Sequence, residues 1–418
     1  MEKKLHILLI LFCFQLAAKA QTYSLQDLES QFLENNLQLI ANKFNVNKAD
    51  ALIVQEKLWA NPSFTVDNIN LWSNPSFETM PNIIGNYGSK QQVNMDLEQL
   101  IETAGKRKKR VAIKTLERNA ARLEFEELLR QLKLELRTNF HSLGRIQLEE
   151  FQLNSIYELF TQLNSQYKAQ SEKQHVSHVS YIRIHTELIG IQKELMDLQT
   201  EKNDKLQHLR ILTQNPNLAL ENIDFGDIEL HFPKTIPINL KETAMAQNIT
   251  IQFLGNDINL SEKQFSLEKA QRTPNLNFLM NYERGGNVMD NFFGVGVNID
   301  LPLFNRNKGN IQAAKIQVEQ SQASLKAKQR ELENEIDKLL RRLSLYESNL
   351  KQWDFKNNDI HGQVLENYIK HLQEKQVTLI EFIDFSQAYR EAQQAYFELQ
   401  ENYLNTFEEL QYLTGQEL

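Results

Sequence analysis

The sequence has only one cysteine among its 418 residues. Cys13 lies inside the short apolar run at residues 5–16 and follows Phe12, whereas a lipidated cysteine needs a small residue before it. Two lysines before the run and an Ala-Lys-Ala site after it predict a signal peptide over residues 1–20. A membrane anchor is the alternative, but the run is short for one. After cleavage, the chain would contain no disulfide, free thiol or cysteine metal site.

Long apolar runs and an excess of basic charge are also missing. No stretch after the signal peptide is apolar for long enough to predict a transmembrane helix. The net charge is -8 at pH 7, with acidic and basic residues interleaved, which argues against a nucleic-acid partner. The sequence has no nucleophile elbow, phosphate loop or metalloprotease motif, so it predicts no enzyme, cofactor or metal centre.

Proline is confined to the connections between four long segments that contain apolar residues at helical spacing. The segments cover residues 106–170, 179–212, 311–350 and 376–413, and they predict two long antiparallel helical hairpins. In the last segment, apolar residues recur every seven positions, which is typical of a coiled coil. These residues are Phe382, Tyr389, Tyr396, Tyr403 and Leu410.

Short alternating segments lie between the helical ones, near residues 64–66, 93–97, 276–282 and 293–301. This period of two predicts β-strands with one apolar and one polar face. Such strands suit either a half-buried soluble sheet or a membrane barrel. Four strands are too few to close a barrel, and lipid does not tolerate open edges. A barrel would therefore require several chains, and three would supply twelve strands.

The chain also repeats its own organisation. Asn36-Leu37 corresponds to Asn248-Ile249, and Leu212-Thr213 corresponds to Leu413-Thr414. Each half is predicted to contain a helix, two strands and a long helical hairpin. We therefore predict a first repeat at residues 21–216, a linker at residues 217–238 and a second repeat at residues 239–418.

Several motifs together resemble the outer-membrane efflux protein family, the TolC-like ducts. They are Asn-Pro-Ser-Phe at 61–64, Thr-Pro-Asn-Leu at 273–276, Asp-Leu-Pro-Leu-Phe at 300–304 and the sequence YLNTFEELQYLTG at 403–415. The resemblance implies a mainly α fold with a small β part, combining long coiled-coil hairpins with four membrane strands per chain. It further implies a homotrimer with a twelve-stranded β-barrel and a twelve-helix α-barrel.

The resemblance implies a location and partners as well. The barrel would lie in outer-membrane lipid of a Gram-negative bacterium, and the helical tunnel would lie in the periplasm. The chain would act as a passive exit duct for metal cations or drugs, joined by a periplasmic adaptor to an inner-membrane RND-type pump. The alternative is a periplasmic adaptor or a structural coiled coil, but adaptors normally have one hairpin and lack paired membrane-type strands.

One turn is similar to the Glu-x-Gly-Gly-Lys-Arg-x-x-x-Arg motif of the CzcC-like heavy-metal branch of this family. It includes Glu102, Gly105, Lys106, Arg107 and Arg110, while Ala104 stands where the motif has its first glycine. Gly105 suits a sharp turn from strand to helix. The alternative for these basic residues is a solvated or interfacial anchor.

The resemblance implies two kinds of functional site. Glu381 and Asp384 align with paired acids that line the periplasmic aperture, although two solvated acids at a helix start are the alternative. The hairpin tips match the adaptor-docking turns, which usually contain Val-Gly, and include Val176, Ser177, Val377 and Thr378. Three histidines near the first tip have no acidic or cysteine partner in the sequence. They are therefore predicted to be surface residues rather than metal ligands.

Overall fold

The computed structural model describes residues 22–226, 236–285, 289–353, 367–372, 374 and 376–417. The predicted signal peptide lies outside these residues. The chain forms two compact units that are interleaved along the sequence. Unit 1 contains Met1–Asn42, Glu126–Ile249 and Gln329–Leu418, and unit 2 contains Lys43–Phe125 and Thr250–Lys328.

Long helices dominate the structure, as the spacing of apolar residues predicts. They are α1 (Leu25–Asn35), α2 (Leu37–Glu56), α3 (Lys106–Glu172), α4 (His178–Thr213), α5 (Leu240–Gln247), α6 (Ile249–Ala270), α7 (Lys308–Trp353) and α8 (Leu379–Thr414). A 3-10 turn covers Leu220–Asn222. Among the described residues, no helix combines the length and the apolar composition needed to cross a bilayer.

The first predicted helix is divided into α1 and α2 at Asn36. The backbone of Asn36 is extended, and its buried side chain accepts a hydrogen bond from the amide of Leu39 and donates one to the carbonyl of Leu212. The second half contains the same junction, because Asn248 separates α5 from α6 and donates to the carbonyl of Leu413 at 2.9 Å. Each asparagine thus forms a hydrogen bond between the junction of two helices and the C-terminal end of a long helix in unit 1.

The core of unit 1 consists of apolar side chains from the long helices. The apolar repeat of α7 is buried at Leu332, Ile336, Leu339 and Leu343, in agreement with its seven-residue spacing. In α8, Phe382, Tyr403 and Leu410 are buried, whereas Tyr389 and Tyr396 are only half-buried. The repeat in α8 therefore predicts only part of the buried face.

The strands form one antiparallel sheet in unit 2, in the order β1-β2-β3-β4. They are β1 (Ser63–Asp67), β2 (Val93–Ile101), β3 (Leu276–Arg284) and β4 (Asn291–Ile299). In the register, Phe64 lies opposite Leu97, Met95 opposite Tyr282, and Tyr282 opposite Phe293. The two predicted strand pairs are therefore joined along β2 and β3, which leaves β1 and β4 at the edges.

Candidate functional site

The first hairpin tip of unit 1 joins α3 to α4. Gln174 has the left-handed backbone conformation, with φ +58, and the amide of His175 donates to the carbonyl of Gln170 at 2.9 Å. Ser177 is the N-cap of α4, where its hydroxyl accepts a hydrogen bond from the amide of Ser180 at 3.1 Å. Val176, immediately before this cap, is half-buried. The hydroxyl at 177 thus has a local structural role at a position where the family usually has glycine.

The second tip of unit 1 ends in the same way, with a hydroxyl residue at the start of the return helix. Thr378 caps α8 by accepting a hydrogen bond from the amide of Glu381. The carboxylate of Glu381 in turn accepts from the amide of Thr378 at 2.7 Å and from its hydroxyl at 2.8 Å. This reciprocal arrangement is a capping box. This cap was not predicted, although the sequence Thr-x-x-Glu is a signal for it.

The two predicted aperture acids have different surroundings in unit 1. Glu381 is exposed, and its hydrogen bonds to the backbone and hydroxyl of Thr378 lower the pKa of its carboxyl. Asp384 is also exposed and lies almost one turn further along α8. The structure therefore places both carboxylates on the surface of the first turns of α8 and gives Glu381 a structural role in addition.

An apolar cluster lies beneath these acids and joins the second tip to the first hairpin. Phe382 is fully buried, and its ring lies 5.8 Å from that of Phe160 on α3. Val377 packs against the same cluster. The other buried members are Ile156, Leu163, Ile184, Leu188, Ile191 and Leu372. Of the four predicted docking residues, Val377 therefore has a clear packing role within unit 1.

Buried arginines connect α8 to the first hairpin beyond this cluster. The guanidinium of Arg145 contacts the carboxylates of Glu149, Glu201 and Glu401, at 2.8 Å for Glu149 and 2.5 Å for Glu401. Burial lowers the pKa of Arg145, but hydrogen bonds from its side chain to Glu201 and Glu149 outweigh this effect and raise the pKa. Arg390 similarly lies 2.6 Å from Glu187. Apart from Glu187, these charges line a cleft of about 540 Å³ in unit 1.

The structure places the histidines near the first tip without a metal-binding arrangement. His178 and His185 both lie beside the ring of Tyr181, with ring centroids 5.8 Å from it. Throughout the described ranges, no group of three or more histidine, cysteine, aspartate or glutamate side chains is arranged to hold a metal ion.

In unit 2, the sheet has two chemically different faces. On one face Asn94 donates to Asp67 at 2.9 Å and to Asp96 at 2.7 Å, and Asn281 donates to Asp96 at 2.8 Å. Gly294 and Gly296 of β4 lie on this face as well. The opposite face consists mainly of apolar side chains that remain exposed. They include Phe64, Val66, Leu97, Met280, Phe293, Val295, Val297 and Ile299.

The length of the strands and their exposed face are consistent with a membrane sheet. Strands β2, β3 and β4 each contain nine residues, close to the length of about 9–11 residues that a tilted membrane strand needs. Phe293 and Val295 are 68% and 66% exposed, far above the exposure expected for the core face of a soluble sheet. Exposed apolar surface of this extent indicates a site of contact with another chain or with lipid.

The motif-like turn between β2 and α3 is held by ion pairs within unit 2. Arg110 forms a bidentate pair with Glu102, at 2.6 and 2.7 Å, and also contacts Glu56 at 2.5 Å. Lys106 is buried and donates to the carbonyl of Thr273 and to the side chain of Asn275. Two members of the basic cluster are therefore structural, in contrast to a fully solvated anchor.

The comparisons with known proteins agree with this combination of hairpins and sheet. Residues 240–416 match the family model described as "Outer membrane efflux protein". The predicted resemblance to this family is confirmed. It is a family of efflux proteins rather than of enzymes. No curated protein matches the chain by sequence.

Solved structures of outer-membrane channels have the same fold. CmeC of Campylobacter jejuni has a TM-score of 0.76 and 16% identity, over 94% of this chain and 85% of that chain. VceC of Vibrio cholerae has a TM-score of 0.72 and 14% identity, covering 94% and 96% of the two chains. The open state of MtrE from Neisseria gonorrhoeae has a TM-score of 0.73 and 11% identity, over 94% of this chain and 89% of that chain. The heavy-metal branch stays a prediction.

Proposed function

We propose that this chain is one subunit of a trimeric efflux duct in the outer membrane. The observation that carries the proposal is the sheet of unit 2, with three nine-residue strands, an exposed apolar face, a polar face and two unpaired edges. Since open edges are unfavourable in lipid, β4 of one copy would pair with β1 of the next. Three copies would close a barrel of twelve strands and bring twelve long helices together as a periplasmic tunnel.

In this proposal the duct is passive and exports metal cations or drugs received from an inner-membrane RND-type pump through a periplasmic adaptor. The tips at Val176, Ser177, Val377 and Thr378 would contact the adaptor. The similarity of the two tips supports this, because Ser177 and Thr378 are the N-caps of the return helices in the first and second hairpins. The rival function, a periplasmic adaptor, does not require the exposed sheet.

Cell fractionation and gel mobility test the assembly. The chain should fractionate with the outer membrane and migrate as a trimer that dissociates on heating. Epitope tags between Trp72 and Gly88 should be labelled on intact cells, whereas a tag at Gln174 should not. A monomer that is stable in buffer without detergent would contradict the proposed duct.

Glu381 and Asp384 are proposed to line the periplasmic mouth, where three copies would bring six carboxylates together. Such a ring would favour cations and bind multivalent cations that block the current. The test is the double variant Glu381→Gln with Asp384→Asn, because glutamine preserves a capping box whereas alanine removes it. In planar bilayers, this variant should lose cation selectivity and much of the block by multivalent cations added from the periplasmic side.

A matched control distinguishes the mouth from charge on α8 in general. Glu391 is exposed and lies about two turns beyond Asp384. The change Glu391→Gln should leave selectivity and block unchanged. If the double variant also conducts like the unmodified channel, the two acids serve only the start of α8 and the mouth lies elsewhere.

A further inference from the structure

The two ends of the sheet in unit 2 differ strongly in charge. The register places Ile101, Leu276 and Ile299 side by side, so the segments that flank them lie at one end of the sheet. We call this the basic end and define it as residues 56–60, 101–110, 272–276 and 299–308. These segments contain nine lysine and arginine residues and three acidic residues. At the opposite end, residues 67–92, 284–285 and 289–291 contain two basic and three acidic residues.

Part of this charge is used within the fold. Glu56 and Glu102 both pair with Arg110, and Lys106 is buried at the start of α3. This leaves Asp300 as the remaining acid of the basic end, and it is exposed. The exposed basic side chains of the basic end are those of Lys57, Lys108, Arg272, Arg306 and Lys308. The surface of the basic end is therefore strongly cationic although the chain as a whole has a net charge of -8.

Large apolar side chains are exposed beside these cations. Trp59 is 61% exposed and Phe304 is 99% exposed. Leu301 and Leu303 are also exposed and follow the apolar face of β4 in sequence, at the same alternating positions. The guanidinium carbon of Arg107 lies 3.8 Å from the centre of the Trp59 ring. An aromatic ring with a cation above it has one side suited to hydrocarbon and one suited to phosphate.

We propose that the basic end binds the anionic headgroups of phospholipids at one surface of the bilayer. Leu301, Leu303 and Phe304 would enter the boundary of the hydrocarbon, and the exposed basic side chains would contact headgroup phosphates. The exposed apolar side chains favour a lipid surface over a free anion, which would need none of them. The inference rests on the proposed function, because it requires the apolar face of the sheet to lie in lipid.

The position of the three tryptophans allows a direct test in the full-length protein. Trp59 lies at the basic end, Trp72 beyond the other end of the sheet, and Trp353 on α7. A variant that retains Trp59 alone, with the other two changed to Phe, is reconstituted into phosphatidylcholine vesicles. These vesicles contain a trace of lipid with a dansyl headgroup, either phosphatidylglycerol or phosphatidylcholine. Energy transfer from Trp59 to the anionic lipid should exceed that to the zwitterionic lipid at least about twofold.

Charge variants separate a specific cationic surface from general attraction. Changing Lys108, Arg306 and Lys308 to glutamine should abolish the preference of Trp59 for the anionic lipid. The matched control changes three exposed lysines on helices, Lys43, Lys48 and Lys326, and should preserve it. In a further variant, the three native tryptophans are changed to Phe and Val295→Trp introduces the sole tryptophan. Energy transfer from position 295 to the dansyl lipid reports whether the strands themselves lie in lipid.

Each outcome decides a different point. Equal transfer from Trp59 to both lipids, with transfer from position 295 present, would overturn the anionic preference and leave the barrel intact. Transfer from position 295 without transfer from Trp59 would place the basic end outside the bilayer and overturn the inference. Without transfer from either position, the proposed membrane duct itself would fail.

Discussion

At the scale of single residues, the turn between β2 and α3 shows the structural cost of Ala104, which replaces a glycine of the heavy-metal motif. Ala104 has φ +53 and Gly105 has φ +66, so both residues adopt the left-handed conformation that favours glycine. The motif has glycine at both positions, whereas this chain has alanine at the first. Ala104 therefore occupies a conformation that costs an L-residue roughly 1–2 kcal/mol.

We expect Ala104→Gly to stabilise the protein by about 1 kcal/mol, because relief of backbone strain exceeds the added flexibility of the unfolded chain. Gly105→Ala is the opposite control and should destabilise it by a similar amount. A β-carbon at position 105 would meet Lys109 Nζ at 3.6 Å, an ordinary contact, so only the backbone conformation is tested. Unfolding in denaturant measures both changes, and a loss of stability in Ala104→Gly would contradict this explanation.

His141 should give unit 1 a pH dependence. Burial lowers the pKa of His141 from 6.5 to about 4. A hydrogen bond between its Nδ1 and the side-chain oxygen of Asn405, 3.3 Å away, raises the pKa but only partly offsets the effect of burial. Between these values the unfolded chain binds a proton that the folded chain does not, so stability decreases as pH falls from 6.5 towards 4. In His141→Gln this slope should be smaller, as measured by denaturant unfolding across that range. The exposed His175→Gln serves as control, and equal slopes in both variants would contradict the assignment.

The ion pairs of the buried arginines could not be predicted from the sequence. Arg145 and Arg390 lie in helices rich in acidic and basic residues, and nothing in their local sequence distinguishes them from solvated arginines. Their partners, such as Glu401 for Arg145 and Glu187 for Arg390, are distant in the chain. Only the packing of α8 against the first hairpin brings these charges together.

At the scale of elements, most helices and strands were predictable because their apolar residues follow one period over long segments. The strands overlap the predicted segments because alternation defines them, but β2 continues to Ile101 instead of ending near Leu97. The final helix begins at Leu379 rather than Gln376, because Thr378 provides the cap. The break at Asn36 was missed because it has no proline or glycine. Asn36 caps α2 locally, by accepting from the amide of Leu39, and also donates to the carbonyl of the distant Leu212.

The two asparagine junctions offer a test at this scale. Asn36 and Asn248 are 4% and 6% exposed, and each donates to the carbonyl of a residue near the end of a long helix. Replacing either by alanine leaves that carbonyl without this donor and should reduce the free energy of unfolding by about 1–3 kcal/mol. The exposed Asn47→Ala is the control and should change it by less than about 0.5 kcal/mol. Equal, small effects at all three positions would show that the junctions do not stabilise unit 1.

At the scale of the whole molecule, the sequence predicted the fold through the order of its elements. The internal repeat also predicted four strands, which are too few for one chain to close a barrel. A single chain has the helices and strands of the matched channels but leaves the apolar face and both edges of its sheet uncovered.

The scarcity of cysteine provides the most direct test of the proposed duct. Cys13 is the only cysteine and lies in the predicted signal peptide, so single cysteines introduced along β4 can be labelled individually. After reconstitution into lipid vesicles, a membrane-impermeant maleimide should label cysteines at 294, 296 and 298, on the face proposed to line the water-filled channel. It should not label those at 293, 295 and 297, on the exposed apolar face. Equal labelling along the strand, or the reverse pattern, would contradict a lipid-facing sheet and with it the outer-membrane channel.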